Sequence, residues 1–144
     1  MKTVIALLLL IIPIVPAISQ NSLEDEGDIL EFEEIFLDHF LAERYQEAFD
    51  LFRGDQSGIP LSDVDTLEAG TAGQLTSLRG RYGPAIDYVF LGAESVEGAL
   101  VQHLYLARYQ NHALRLRFIY YNNASVWRLN FFSWDDSVDA FFSW

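Results

Sequence analysis

From Asp28 onward the apolar residues recur with a helical period: Ile29, Phe32, Phe36 and Phe40 stand three or four positions apart, and Leu30, Leu37 and Leu41 widen the stripe. This spacing predicts a helix buried over much of its circumference. A second helical stretch puts Tyr45, Ala48, Phe49 and Phe52 on one side, with a bend at Glu43 and Arg44 before it and Gly54 stopping it at the C′ position. Residues 54–62 read as a loop around Gly54, Gly58 and Pro60. Val64, Leu67, Leu75, Leu78 and Tyr82 then fit one stripe, but Gly70 and Gly73 interrupt it, and a glycine inside a helix costs about 1 kcal/mol. The expectation is therefore two shorter helices. Ser62 caps the first, which runs through Ala69; the capping-box spacing Thr71-Ala72-Gly73-Gln74 opens the second, which ends at Tyr82 before Gly83-Pro84.

After Pro84 the period changes to two. The predicted strands are Ile86–Leu91, Leu100–Tyr109, Ala113–Tyr121 and Ser125–Trp134, with turns at 110–112 and 122–124. The sequon Asn123-Ala124-Ser125 falls in the second of these turns. Hairpin pairing fixes which residues share a face. One face takes Val101, His103, Tyr105, Ala107 and Tyr109, then Leu114, Leu116, Phe118 and Tyr120, then Trp127, Leu129, Phe131 and Ser133. The other carries Arg108, Arg115, Arg117 and Arg128 among Leu104, Leu106 and Ile119. Helices and sheet each have one large apolar surface and no other partner in the chain. The predicted fold is thus α+β, with N-terminal helices packed on one face of a curved antiparallel sheet of about four strands.

Charge sorts along the same division. Residues 20–70 hold 15 acids against 2 arginines, a net charge of −13, whereas residues 71–144 balance 6 acids with 6 arginines. So acidic a chain lacks the basic footprint that nucleic acid requires, and no nucleic-acid partner is expected. The chain has no cysteine, which excludes disulfides and cysteine-ligated metals, so packing alone must hold it together.

The first 19 residues stand apart from these averages. They contain the single lysine, Lys2, then an apolar run from Val4 to Ile12, then Pro13 and Pro16, then Ala17-Ile18-Ser19. Charge, apolar stretch, breaker and small residues at the −3 and −1 positions make a secretory signal over 1–19, cut after Ser19. Val4 to Ile18 falls short of the roughly 20 residues a bilayer span needs, so no stable membrane span remains after cleavage. The protein is expected to be exported, to the periplasm or outside the cell. Residues 20–27 read as an acidic flexible lead, 28–136 as the folded domain and 137–144 as an aromatic tail in which Phe141-Phe142-Ser143-Trp144 repeats Phe131-Phe132-Ser133-Trp134.

The helical segments followed by a sheet, with Tyr45-Gln46-Glu47-Ala48-Phe49 closing the first helical hairpin, Tyr82-Gly83 ending the helices and Val126-Trp127-Arg128-Leu129 on the last strand, resemble the NTF2-like superfamily, and within it small exported bacterial members of unknown function. The resemblance covers most of residues 28–136. It implies a cone-shaped α+β domain with a pocket between sheet and helix. Some members of the superfamily use an Asp or His there for proton transfer, and many only bind or assemble.

Strand parity sets His103 on the apolar face beside Tyr105 and Tyr120, where an imidazole can act as acid or base near neutral pH, or simply bond a tyrosine hydroxyl. The catalytic candidates are His103, Tyr105, Tyr120 and Asp87. Phe36, His39, Phe40, His103, Tyr105, Phe118, Tyr120 and Trp127 are candidates for lining a pocket. His39, His103 and Asp87 have no compact ligand spacing, so neither a metal nor a cofactor is expected. The carboxylates at 24–34 read as a solvated charge run. Arg108, Arg115, Arg117 and Arg128 would offer a positive face to an acidic partner or a second copy. The leading functional expectation is a non-enzymatic exported protein binding a small apolar ligand or a protein partner. The alternatives are a small pocket enzyme transferring protons through His103 and a structural homodimer made through the sheet.

Overall fold

A computed structural model describes residues 22–142. The export signal expected over 1–19 and the last two residues of the aromatic tail lie outside the described residues. Helix α1 spans Glu26–Leu41 and opens with a capping box, in which the Asp25 carboxylate accepts the Asp28 N–H at 3.0 Å and the Asp28 carboxylate accepts the Asp25 N–H at 3.3 Å. Within the lead expected to be flexible, the described part from Leu23 onward is tied down. Leu23 is buried and pairs with Trp127, whose N–H donates to the Leu23 carbonyl at 2.8 Å.

The bend expected at Glu43 is present, with Glu43 itself left-handed at φ 60°. Helix α2 (Tyr45–Asp50) follows and tightens into a 3-10 turn, Leu51–Arg53. Gly54 ends that turn in an extended conformation, not the left-handed one expected of a C′ glycine. Arg53 binds Asp50 on its own side and Asp65 and Glu68 on the next helix, tying the two segments together.

Helix α3 is continuous over Leu61–Tyr82, which corrects the two-helix expectation. Gly70 and Gly73 lie inside it with open space where a side chain would project. Thr71, expected to cap a fresh helix, is instead buried mid-helix, and its hydroxyl accepts the indole N–H of Trp134 at 2.9 Å. The missing side chains cost helix propensity, but packing of Val64, Thr71, Leu75 and Tyr82 outweighs it.

The strands form a curved antiparallel meander in the order β1-β2-β3-β4, confirming the α+β class. They are β1 (Ala85–Val96), β2 (Leu100–Tyr109), β3 (Ala113–Asn122) and β4 (Trp127–Asp135). Strand β1 runs well past the predicted Leu91, through a register shift between Phe90 and Gly92. The turn before β4 closes on Asn123, whose side-chain oxygen accepts the N–H groups of Ser125 and Val126.

Strands β2 and β3 keep the predicted parity, burying His103, Tyr105, Ala107, Leu114, Leu116, Phe118 and Tyr120 toward the helices. Strand β4 does not keep it. Tyr120 pairs with Leu129 and Ile119 with Phe131, so Asn130 is an extra residue and the faces exchange after it. Phe132 and Trp134 pack inward in place of Phe131 and Ser133, and Phe131 turns out to solvent. Phe36 sits at the centre of the core, stacked on Phe52 at 4.6 Å and edge-on to Phe49, Phe118 and Phe132.

Candidate functional site

One acid interrupts the apolar stripe of α1. Glu33 follows Phe32 and lies four residues after Ile29 and three before Phe36, so the helix that buries those residues buries it too, with no exposed surface. Opposite it, β2 presents His103 and Tyr105 on the same face. His103 Nδ1 lies 2.8 Å from Glu33 Oε2, and Tyr105 Oη donates to the same oxygen at 2.6 Å. Tyr120 comes from β3, diagonal to His103, with ring centroids 6.1 Å apart.

The cluster is only partly satisfied. Among the described residues Glu33 Oε1, His103 Nε2 and Tyr120 Oη are buried without a partner. An unsatisfied buried polar atom costs about 1–3 kcal/mol, so three in one place are expensive. Burial, reinforced by the Glu33 carboxylate, holds the Tyr105 phenol far above its ordinary range and the Tyr120 phenol well above it. Both therefore remain proton donors at any physiological pH.

His103 lies beside a cleft of about 310 Å³, bounded by Glu26 and Ile29 of α1, Ala93, Ser95, Gly98 and Val101 of the β1–β2 hairpin, and Trp127 at the start of β4. That volume is at the small end of the range for ligand sites. The imidazole exposes no surface to water, so a guest in the cleft sits beside the buried cluster without touching the ring. Two larger hollows, of about 460 and 520 Å³, lie where the end of α1 meets the start of β1. They are more open, and neither adjoins the unpartnered polar atoms.

The residues read from the sequence separate into groups. His103, Tyr105 and Tyr120 converge, and Trp127 walls the cleft. Phe36, Phe40 and Phe118 do not line a cavity, because the space expected between helices and sheet is filled by the phenylalanine core. His39 lies at the surface, its Nδ1 accepting from Arg44 Nε at 3.1 Å. Asp87 is on the outer face, paired with Arg108, which holds its carboxyl below the usual range. Neither joins His103, and among the described residues no three His, Asp or Glu side chains converge as metal ligands.

Two of the four arginines on the outer face pair with acids within the sheet. Besides the Arg108–Asp87 pair, Arg115 binds Asp135 at 2.8 Å and the Ala140 carbonyl at 3.2 Å, while Arg117 lies over the Phe131 ring. Arg128 is exposed. The contact to Ala140 also anchors the closing 3-10 turn Val138–Phe142, which leaves Phe142 in solvent.

Glu33 escaped the sequence reading because it was grouped with the acidic run at 24–34. A carboxylate in phase with Ile29 and Phe36 was the available signal. Among the described residues no helix is long and apolar enough to cross a membrane. Compared with protein-family models, curated proteins and solved structures, the chain matches none.

Proposed function

We propose that this is an exported protein that binds a small, largely apolar molecule in the cleft over His103. The observation that carries the reading is a cleft of about 310 Å³ walled by Ile29, Val101 and Trp127, beside a buried cluster in which Glu33 holds His103. Apolar walls with a few polar groups, here Glu26 and Ser95, are the usual design of small-ligand sites. The leader pattern at 1–19 supports export.

Native mass spectrometry of protein purified from its own compartment tests the proposal. A co-purifying small molecule is expected on the wild type and absent from Ala93→Trp, in which a bulky side chain on the strand beside His103 fills the cleft. Retention of the same molecule by Ala93→Trp would place binding elsewhere.

The Glu33–His103 bond favours a second reading, proton transfer on the bound molecule. A carboxylate that holds an imidazole through Nδ1 has the arrangement of a general base, and a guest reaches this one only if the cleft opens to uncover the ring. Conversion of the co-purifying molecule by the wild type but not by His103→Gln, with binding retained in both, would distinguish an enzyme from a carrier.

A further inference from the structure

We propose that the outer face of the sheet, the side turned away from the helices and from the cleft, is where a second copy of this chain docks, related to the first by a two-fold axis parallel to the strands.

The face is apolar and bare. Strand pairing turns Val89, Val96, Leu100, Tyr121 and Phe131 outward, and each keeps between 38% and 59% of its surface exposed. They adjoin one another. Val96 pairs with Leu100 and Leu100 with Tyr121, and in the next row Ile119 pairs with Phe131, over whose ring Arg117 lies at 5.2 Å. Single exposed apolar residues are ordinary, whereas a joined patch marks a contact surface. The closing 3-10 turn reaches this side at Arg115, through the Ala140 carbonyl, and leaves these five residues open.

The size of the face fits a weak dimer. Four strands spaced about 4.8 Å apart and about ten residues long cover roughly 20 Å by 30 Å. Two such faces together bury roughly 1,200 Å², the lower limit of a standard specific interface, so the dimer dissociates in the micromolar range.

Charge selects a second copy as the occupant. Residues 20–70 carry the net −13 and make up α1, α2 and the start of α3, while residues 71–144, which include the sheet, balance 6 acids with 6 arginines. Like copies therefore repel through their helices and meet with least repulsion through their sheets. The face is also complementary to itself. Glu94 on the edge strand β1 and Arg128 on the opposite edge strand β4 are exposed, point outward and form no ion pair among the described residues. They lie at the same end of the sheet, Glu94 in the row that runs through Gln102 and Ile119 to Phe131, and Arg128 in the row beside it with Tyr121. A two-fold axis along the strands lays β1 of one copy over β4 of the other, so Glu94 of each copy comes opposite Arg128 of the other. That contact is made twice, as a closed isologous interface requires, and sets the orientation in which the apolar patches meet.

Sedimentation velocity of the purified protein between about 1 µM and about 200 µM tests the proposal, with a monomer–dimer equilibrium expected at a midpoint on the order of 10 µM. Val96→Glu and Tyr121→Glu change side chains that are exposed in the single copy, so each should keep the circular dichroism of the wild type and remain monomeric throughout. Glu94→Arg and Arg128→Glu should each weaken the dimer about tenfold by setting like charges opposite each other, and the double variant should return to within about threefold of the wild type.

A wild type that stays monomeric at every concentration overturns the proposal, and co-sedimentation of that monomer with phosphatidylglycerol vesicles would give the face to a lipid surface instead. A dimer that survives both glutamate variants is built on another face and overturns it as well. A double charge variant as weak as the single ones refutes the two-fold arrangement. None of these outcomes bears on the cleft, which lies on the other side of the sheet.

Discussion

Glu33 and His103 are 70 positions apart in the chain, yet Glu33 Oε2 lies 2.8 Å from His103 Nδ1 with both side chains fully buried. Tyr105 binds the same oxygen, whereas the Tyr120 hydroxyl makes no bond of normal geometry although Glu33 acts on it electrostatically. The two tyrosines should therefore respond differently to loss of the hydroxyl. Tyr105→Phe removes a bond to a buried carboxyl and is expected to cost about 1–3 kcal/mol, while Tyr120→Phe removes an unpaired group and should be neutral to within about 0.5 kcal/mol or stabilising. Urea unfolding of the two variants checks this. Glu33→Ala leaves Nδ1 and the Tyr105 hydroxyl buried without a partner and should cost more, about 3–5 kcal/mol.

The indole of Trp134 docks the end of β4 on α3 through the Thr71 hydroxyl. Thr71→Val keeps the shape and strands the indole N–H, for an expected loss of about 1–2 kcal/mol, and Thr71→Ser should restore most of it. An upfield-shifted or broadened Trp134 indole N–H proton resonance in the valine variant alone would identify the bond as the cause.

Gly70 and Gly73 lie in the middle of α3 with nothing near the position of an added methyl. Gly70→Ala and Gly73→Ala should each stabilise the protein by about 0.5–1 kcal/mol, and by nearly the sum when combined, read as a rise in urea midpoint at constant slope. A fall in midpoint would contradict this.

The tyrosines set the alkaline limit. Tyr45 and Tyr82 are pushed up to about 12, mainly by burial, and Tyr88, Tyr105, Tyr109 and Tyr120 are raised as well. A raised folded-state value means that the native protein keeps protons the unfolded chain releases. Stability from these groups is full below pH 10, the value of the free phenol, and falls as pH rises through about 12. Tyrosinate absorbance at equilibrium should therefore lag that of free tyrosine and then rise cooperatively with loss of the circular dichroism signal. A gradual rise with the fold intact would contradict this.

Hydrophobic period alone determined much of this protein. Ile29, Phe32, Phe36 and Phe40 defined α1, and alternation defined the inward face of β2 and β3, so the α+β class and the burial of His103, Tyr105 and Tyr120 were legible in the sequence. Each of those patterns is local, and packing acts on it directly. What local pattern could not supply was decided by contacts between distant segments. The extra residue at Asn130 exchanges the faces of β4, and it is tolerated because the shift brings Phe132 and Trp134 into the core. Helix α3 crosses two glycines because its buried face outweighs their propensity cost. Glu33 looked like one acid in a charged run until His103 and Tyr105 arrived from the sheet, since a buried carboxyl is recognised by its partners and those partners lie 70 and 72 residues away.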